Sequence, residues 1–178
     1  FFPLYAVWNN GLRVTATGGE DSISNLHRSK LVGSVRTYVH TGAAGLDMHA
    51  WFEGLKRGRA FVSSGPLIEL TINDRLPGEE VTLPDTGGTV EVVGRVQSVT
   101  DLDRIFLVCN GETMNEVPVM GDRRGGTLRV RHRVTRSSWC HLRVEGAAAD
   151  RFPMDVTYVQ AFTNPIWIQV GDRPIRNA

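Results

Sequence analysis

The sequence predicts an α+β chain in which a short αβ portion, residues 1–62, is stacked on an antiparallel β-sandwich of immunoglobulin-like size, residues 63–178. Three observations predict it. Over 46–58 apolar side chains recur at helical spacing. After Gly58 the apolar period drops from about 3.6 to 2 and stays there. The β-prone runs beyond that point are separated by turn chemistry, including Asn73-Asp74, Pro77-Gly78 and Asn110-Gly111.

The elements follow in chain order. Residues 2–11 read as a short helix, with Pro3 in the first turn, Leu4, Val7 and Trp8 on one face, and Gly11 as its stop. A β-prone run over 12–17 comes next, giving an αβ unit; it breaks at Gly18-Gly19 and delivers Glu20 and Asp21 at its end. A second such run, 35–40, follows an interval that holds His27, Arg28 and Lys30. The helix over 46–58 has Asp47 as a cap, Met48, Trp51, Phe52 and Leu55 as an apolar stripe, and Lys56 and Arg57 in its last turn. That stripe reads as core. Strands are then expected at 67–72, 90–97, 104–109, 112–117, 127–134, 138–144, 157–162 and 166–170. Asn110-Gly111 is a hairpin signal because both central positions of a type I′ turn need positive φ. Seven or eight short strands over about a hundred residues fit a sandwich. The join near 60–66 holds only Ser63-Ser64-Gly65-Pro66 as breakers, so the two parts should pack directly on one another.

Composition narrows the partners. The 178 residues include 41% hydrophobic and 22% charged residues, ordinary values for a packed domain. Twenty Lys and Arg against 19 Asp and Glu leave a formal charge of +1, which argues against a nucleic-acid partner. No apolar run reaches the roughly 18 residues that a membrane span requires. Cys109 and Cys140, 31 positions apart within apolar runs, read as two buried free thiols, since two cysteines are too few for a disulfide framework. The opening FFPLYAVWNNG reads as starting partway through a helix, so the chain is expected to be a portion of something longer.

Glu20 and Asp21 carry the strongest chemical signal. A hard or borderline divalent cation takes carboxylate oxygen, and a strand end after two glycines allows close backbone approach. His27, six residues after Asp21 in a polar loop, is the best placed histidine to line a substrate site beside them. Recognisable nucleophile, P-loop and paired-cysteine motifs are absent from the sequence, which leaves hydrolysis through a metal-bound water as the chemistry with support. A competing reading is non-enzymatic. Trp139, His141 and Arg143 alternate along one strand and would make an exposed stacking surface for a glycan or a protein.

The run Trp8-Asn9-Asn10-Gly11-Leu12-Arg13-Val14-Thr15-Ala16-Thr17-Gly18-Gly19-Glu20-Asp21 resembles the L-N-x-G-x-R-x-x-A-T-x-G-S-D segment of the carbaryl-hydrolase-like metallohydrolases, a branch of the polymerase-and-histidinol-phosphatase (PHP) superfamily. Stretches 33–39, 51–59 and 61–67 continue the resemblance in order, followed more loosely by Asn110-Gly111, Ser138-Trp139 with Arg143, and 161–166. The resemblance implies the C-terminal fragment of a PHP-type (β/α)7 barrel, holding divalent metal (Zn, Mn or Fe) at its strand ends, with a β-sandwich behind it. It maps Asp21 onto the ligand aspartate of a Gly-x-Asp-x-His motif, although Ile23 stands at the histidine position and Glu20 replaces a small residue. It makes the parent a hydrolase of an ester, amide or phosphoester, with Asn9, Arg13 and Arg36 facing substrate. A catalytic metal takes about three protein ligands, and this chain offers one or two, so it should be inactive alone. An incomplete barrel would also expose strand edges and an apolar layer, which predicts a homo-oligomer that covers them.

Overall fold

In the computed structural model of the chain, residues 1–19, 32–42, 45, 47–147 and 159–177 are described. They form two helices and eleven strands: α1 (Phe2–Asn9), β1 (Arg36–Val39), α2 (Met48–Lys56), β2 (Ala60–Ser63), β3 (Leu67–Ile72), β4 (Glu80–Leu83), β5 (Gly88–Gln97), β6 (Arg104–Cys109), β7 (Glu112–Val117), β8 (Gly125–Val134), β9 (Ser138–Gly146), β10 (Val159–Thr163) and β11 (Ile166–Val170). Three strands, in the order β3-β5-β8, make one sheet, and the other eight make the second.

The larger sheet is organised around β9. One edge of β9 pairs with β6, which forms a hairpin with β7 through Asn110-Gly111, both at positive φ as the turn requires. Its other edge pairs with two strands laid end to end: β10 opposite 143–146 and β11 opposite 138–140. At the break between them, Asn164-Pro165, the sheet divides, because β10 pairs antiparallel with β2, and β2 in turn with β1, while β11 pairs parallel with β4.

Alternation decides what lies between the sheets. Ile68, Leu70 and Ile72 from β3, and Val90, Val92 and Val96 from β5, face Ile105, Leu107, Leu142, Val144, Ile166 and Ile168 in one continuous core. Gly94 interrupts the apolar row on β5 beside Leu142, whose two methyls would lie in ordinary contact, 3.5 Å, with a Cβ there. The opposite face of the large sheet is also covered. Trp8 of α1, Trp139, Trp167, Val108 and Ile175 form a second apolar cluster there.

Two expectations are corrected by this architecture. Residues 1–62 do not build a fragment of a (β/α)7 barrel packed on a sandwich. Barrel strands run parallel, each followed by a helix; here β1, β2 and β10 are antiparallel neighbours within an open sheet, and 12–17 is not a strand. Cys109 and Cys140, in turn, are not free thiols. They are directly opposite on β6 and β9, with Cα atoms 4.1 Å apart, and are joined as a disulfide.

The helix expected over 46–58 is present as α2, where the Asp47 side chain accepts from the Ala50 N–H at 2.6 Å. Its stripe is not core, however. Met48 is 73% and Phe52 49% exposed, and the buried member of α2 is Gly54, whose Cβ would come within 2.6 Å of the Val39 side chain and 2.9 Å of the His40 carbonyl. The helix rests on β1 by backbone approach, with Phe52 exposed and Trp51 half-buried. Among the described residues no helix is long and apolar enough to cross a membrane.

Candidate functional site

The segment after α1 runs over the sheet without pairing in a ladder, and side chains take the place of strand partners. The Trp8 indole N–H donates to the Val14 carbonyl at 3.0 Å, and the Thr15 hydroxyl donates to the Leu55 carbonyl at 3.0 Å. Asn164, buried at the β10–β11 break, accepts from the Ala16 N–H at 2.7 Å and donates to the Ala16 and Ala60 carbonyls at 3.1 and 3.0 Å. Thr37 then both accepts from the Gly18 N–H at 3.0 Å and donates to the Gly18 carbonyl at 3.1 Å. At Gly18 the chain lies so close to the sheet that a Cβ would fall 2.3 Å from a Val62 methyl.

A cleft of about 260 Å³ opens where this segment, the end of α2 and the divided sheet meet. Its floor is glycine backbone. Gly58 and Gly78 both have positive φ, and a Cβ on Gly78 would lie 1.8 Å from the Arg57 carbonyl oxygen. Four cations line it: Arg13, Lys56, Arg57 and Arg59. The Arg13 guanidinium lies 5.3 Å from the centre of the Trp167 ring and pairs with Glu80. Arg59 pairs with Glu79 at 2.7 Å, and the second oxygen of Glu79 accepts from the Leu76 N–H at 2.9 Å. Lys56 and Arg57 share one carboxylate, Glu53, at 3.0 and 3.8 Å. The Lys56 hydrogen bond and charge hold the Glu53 carboxyl below its ordinary range, so it is ionised at neutral pH. Four cations against Glu53, Glu79 and Glu80 leave one net positive charge.

The expected surface of Trp139, His141 and Arg143 has a different role. The three do share a face, but α1 covers it, so Trp139 and His141 are fully buried and present no platform. The Trp139 indole N–H donates to Asn9 Oδ1 at 2.8 Å, and Tyr5 Oη lies 2.8 Å from His141 Nε2. Rings of Tyr5, Trp8, Trp139 and Phe162 surround the imidazole at centroid separations of 5.4 to 6.4 Å. Arg143 caps the box, 4.3 Å from the centre of the Phe1 ring and paired with Glu145. Burial lowers the His141 pKa to about 3; the nearby Thr163 backbone opposes that shift, but Nδ1 makes no hydrogen bond of ordinary geometry. Burial likewise raises the Tyr5 hydroxyl pKa, against the pull of Arg143. His141 lies fully buried beneath these rings while Tyr5 is half-buried, and the hydroxyl–imidazole contact docks α1 on β9.

Of the remaining expected site residues, Arg13 lines the cleft, whereas Asn9 bonds to Trp139 and to the Asn110 carbonyl. Arg36 lies on β1 with its guanidinium 3.4 Å from the Tyr38 hydroxyl. Glu20, Asp21 and His27 lie outside the described residues. Among the described residues, no group of three or more His, Cys, Asp or Glu could hold a metal ion. Sequence reasoning took Lys56 and Arg57 only as helix-end charges and passed over Arg59, Glu79 and Asn164. The Asn164-Pro165 pair, a turn signal inside a β-prone region, was the available clue. No protein-family model, curated protein or solved structure matches the chain.

His141 makes stability depend on pH with a defined sign. Its folded pKa lies below the unfolded value near 6.5, so between those values the unfolded chain binds the proton that the folded one refuses. Stability is therefore full above pH 6.5 and falls by about 1.4 kcal/mol per pH unit as pH drops toward 3. Urea denaturation at pH 6.5 and 5.0 should show about 2 kcal/mol more destabilisation in the wild type than in His141→Phe over that interval. Equal losses in the two proteins would mean that the imidazole is not held neutral in the box.

Proposed function

We propose that the chain is a β-sandwich ligand-binding module whose ligand presents a small anionic group, a carboxylate or a phosphate, to the cleft at the C-terminal end of α2. One observation carries this reading: four basic side chains from two separate stretches of chain, Arg13 and residues 56–59, converge on an open, glycine-floored space, and the carboxylates around them leave one positive charge uncompensated. Arginine suits the task because its planar fork meets two anionic oxygens at once. The stacking of Arg13 on Trp167 holds one such fork at the cleft. Titration with inorganic phosphate, followed by amide NMR, should give saturable shifts at Thr15, Gly58 and Gly78. Arg13→Gln should weaken the apparent affinity about tenfold, and so should raising the salt, since exposed charge pairs are screened. Shifts that do not saturate, or an Arg13→Gln protein that binds as the wild type does, would defeat the assignment.

A second reading has its own support. The segment that resembles the metallohydrolase motif is clamped at Val14, Thr15, Ala16 and Gly18, and its glycine approaches the β1–β2 face just ahead of Glu20 and Asp21 in sequence. A rigidly held approach of this kind is what a metal-ligating carboxylate needs. In this reading the chain contributes Asp21 to a metal-dependent hydrolase and lacks the ligands to act alone. Metal analysis of protein purified from zinc- and manganese-supplemented medium should then find metal in the wild type and its loss in Asp21→Ala. Equal, near-zero content in both would remove the reading.

A further inference from the structure

We propose that the outer edge of β8 takes up an extended acidic segment of a partner protein as a fourth strand of the small sheet, with its carboxylates facing Arg129, Arg131 and Arg133. This surface shares no residue with the basic cleft and stands independently of the function proposed for the cleft.

The first support is a row of backbone groups with no partner. β8 is ten residues long and pairs with β5 over its whole length without a bulge, but no strand lies on its other side. The bonds at its start give the direction of each peptide. The Ser98 N–H donates to the Arg124 carbonyl, so even-numbered residues turn their backbone toward β5, while the Gly125 carbonyl turns away and accepts from the Met120 N–H. The β5 side agrees: the Glu91 carbonyl accepts from the Asn73 N–H beyond β3, which leaves the even-numbered residues of β5 to bond the even-numbered residues opposite them on β8. Thr127, Arg129, Arg131 and Arg133 therefore aim their N–H and C=O groups outward, and among the described residues none of these groups meets a backbone partner. Such a row is a template for one more strand.

Charge selects the strand. The residues whose backbone faces outward also carry their side chains on one exposed face, because both alternate with period 2. Arg129, Arg131 and Arg133 thus stand in a line at intervals of about 7 Å, the spacing of alternate residues in a neighbouring strand. Glu91, directly opposite Arg131 on β5, pairs instead with Arg129 at 2.9 Å, and Arg133 donates to the neutral Thr86 carbonyl. Three cations against one carboxylate leave two positive charges along the edge. Like charges placed opposite one another destabilise a ladder, so the row opposes pairing of β8 with the β8 of a second copy. A carboxylate opposite each arginine makes the favourable cross-strand pair. On the inner side of the same edge Val130 is half-buried against the core, and apolar residues at the intervening positions of an incoming strand would cover it. The partner is therefore a segment in which acidic and apolar residues alternate, bound through its backbone and recognised through its carboxylates.

The test adds a capped hexapeptide of alternating glutamate and valine to the full chain and follows affinity by calorimetry and amide exchange by NMR. Bound peptide should slow exchange at the Thr127, Arg129 and Arg131 amides and leave Leu128 and Val130, already bonded to β5, unchanged. That odd-even pattern is the signature of an added strand. Arg131→Gln should weaken binding about threefold, and Gln at 129, 131 and 133 together about thirtyfold, as cross-strand charge pairs of ordinary strength require. Replacing glutamate by glutamine in the peptide should give the same loss on the unaltered protein, which removes any doubt over folding of the variants. Methylating the peptide nitrogens that face β8 should abolish binding. Exchange slowed at odd and even amides alike, or a methylated peptide that binds as well as its parent, would overturn the proposal. So would an oligonucleotide or a sulfated oligosaccharide of equal charge that binds more tightly than the peptide, by assigning the arginines to a polyanion. Odd-numbered amides already protected in a dimer of the protein alone would instead give the edge to a second copy and equally defeat it.

Discussion

The fold turns on a single buried amide. Asn164 sits where β10 stops and β11 begins, and its side chain makes both backbone bonds of Ala16 and a further bond to Ala60. A side-chain amide that accepts from and donates to one residue imitates a strand partner, so Ala16 is held as if by a ladder that is not there. Each such bond contributes about 1 kcal/mol net, while leaving the buried groups unpaired costs about 1–3 kcal/mol each. The same break lets the sheet divide between β2 and β4, and the opening between the two branches is the basic cleft. Support of the segment and creation of the cleft thus have one cause.

A second constraint acts on the face of the large sheet that is turned away from the main core. Residues 139, 141 and 143 of β9 face away from the main core, and an uncovered Trp and His there would be costly or sticky. α1 resolves this by laying Tyr5 and Trp8 over them, and Asn9 supplies the acceptor that the Trp139 indole N–H requires. The helix is only eight residues long, too short to be stable by itself in water. Its existence depends on the aromatic contacts, and the neutral state of His141 depends on the helix.

How much of this was legible depended on whether the information was local. Strands β6, β7 and β11 and the Asn110-Gly111 turn follow from alternation and positive-φ chemistry that neighbouring residues carry in full. The 12–17 run has the composition of a strand, yet the partner that replaces its ladder is Asn164, 148 positions from Ala16. No local pattern announces it. Trp139, His141 and Arg143 were correctly placed on one face, but alternation does not tell an open face from one covered by a helix. The disulfide was missed for a related reason: counting cysteines ignores register, and register alone puts Cys109 opposite Cys140. Arg13 stood out through a motif, whereas the other cleft cations come from a helix end and a strand entry and acquire meaning only when the fold brings them together. Short β4 escaped notice because its pairing with β11 is parallel and its four residues carry little pattern.

Amide hydrogen exchange at Ala16 tests the central claim most directly. If the Asn164 side chain substitutes for a strand partner, the Ala16 N–H exchanges as slowly as amides of the β2–β10 ladder in the wild type, and becomes labile in Asn164→Ala while those ladder amides stay protected. An Ala16 amide that exchanges at the rate of an unstructured peptide in the wild type would contradict the clamp, and with it the origin assigned to the cleft.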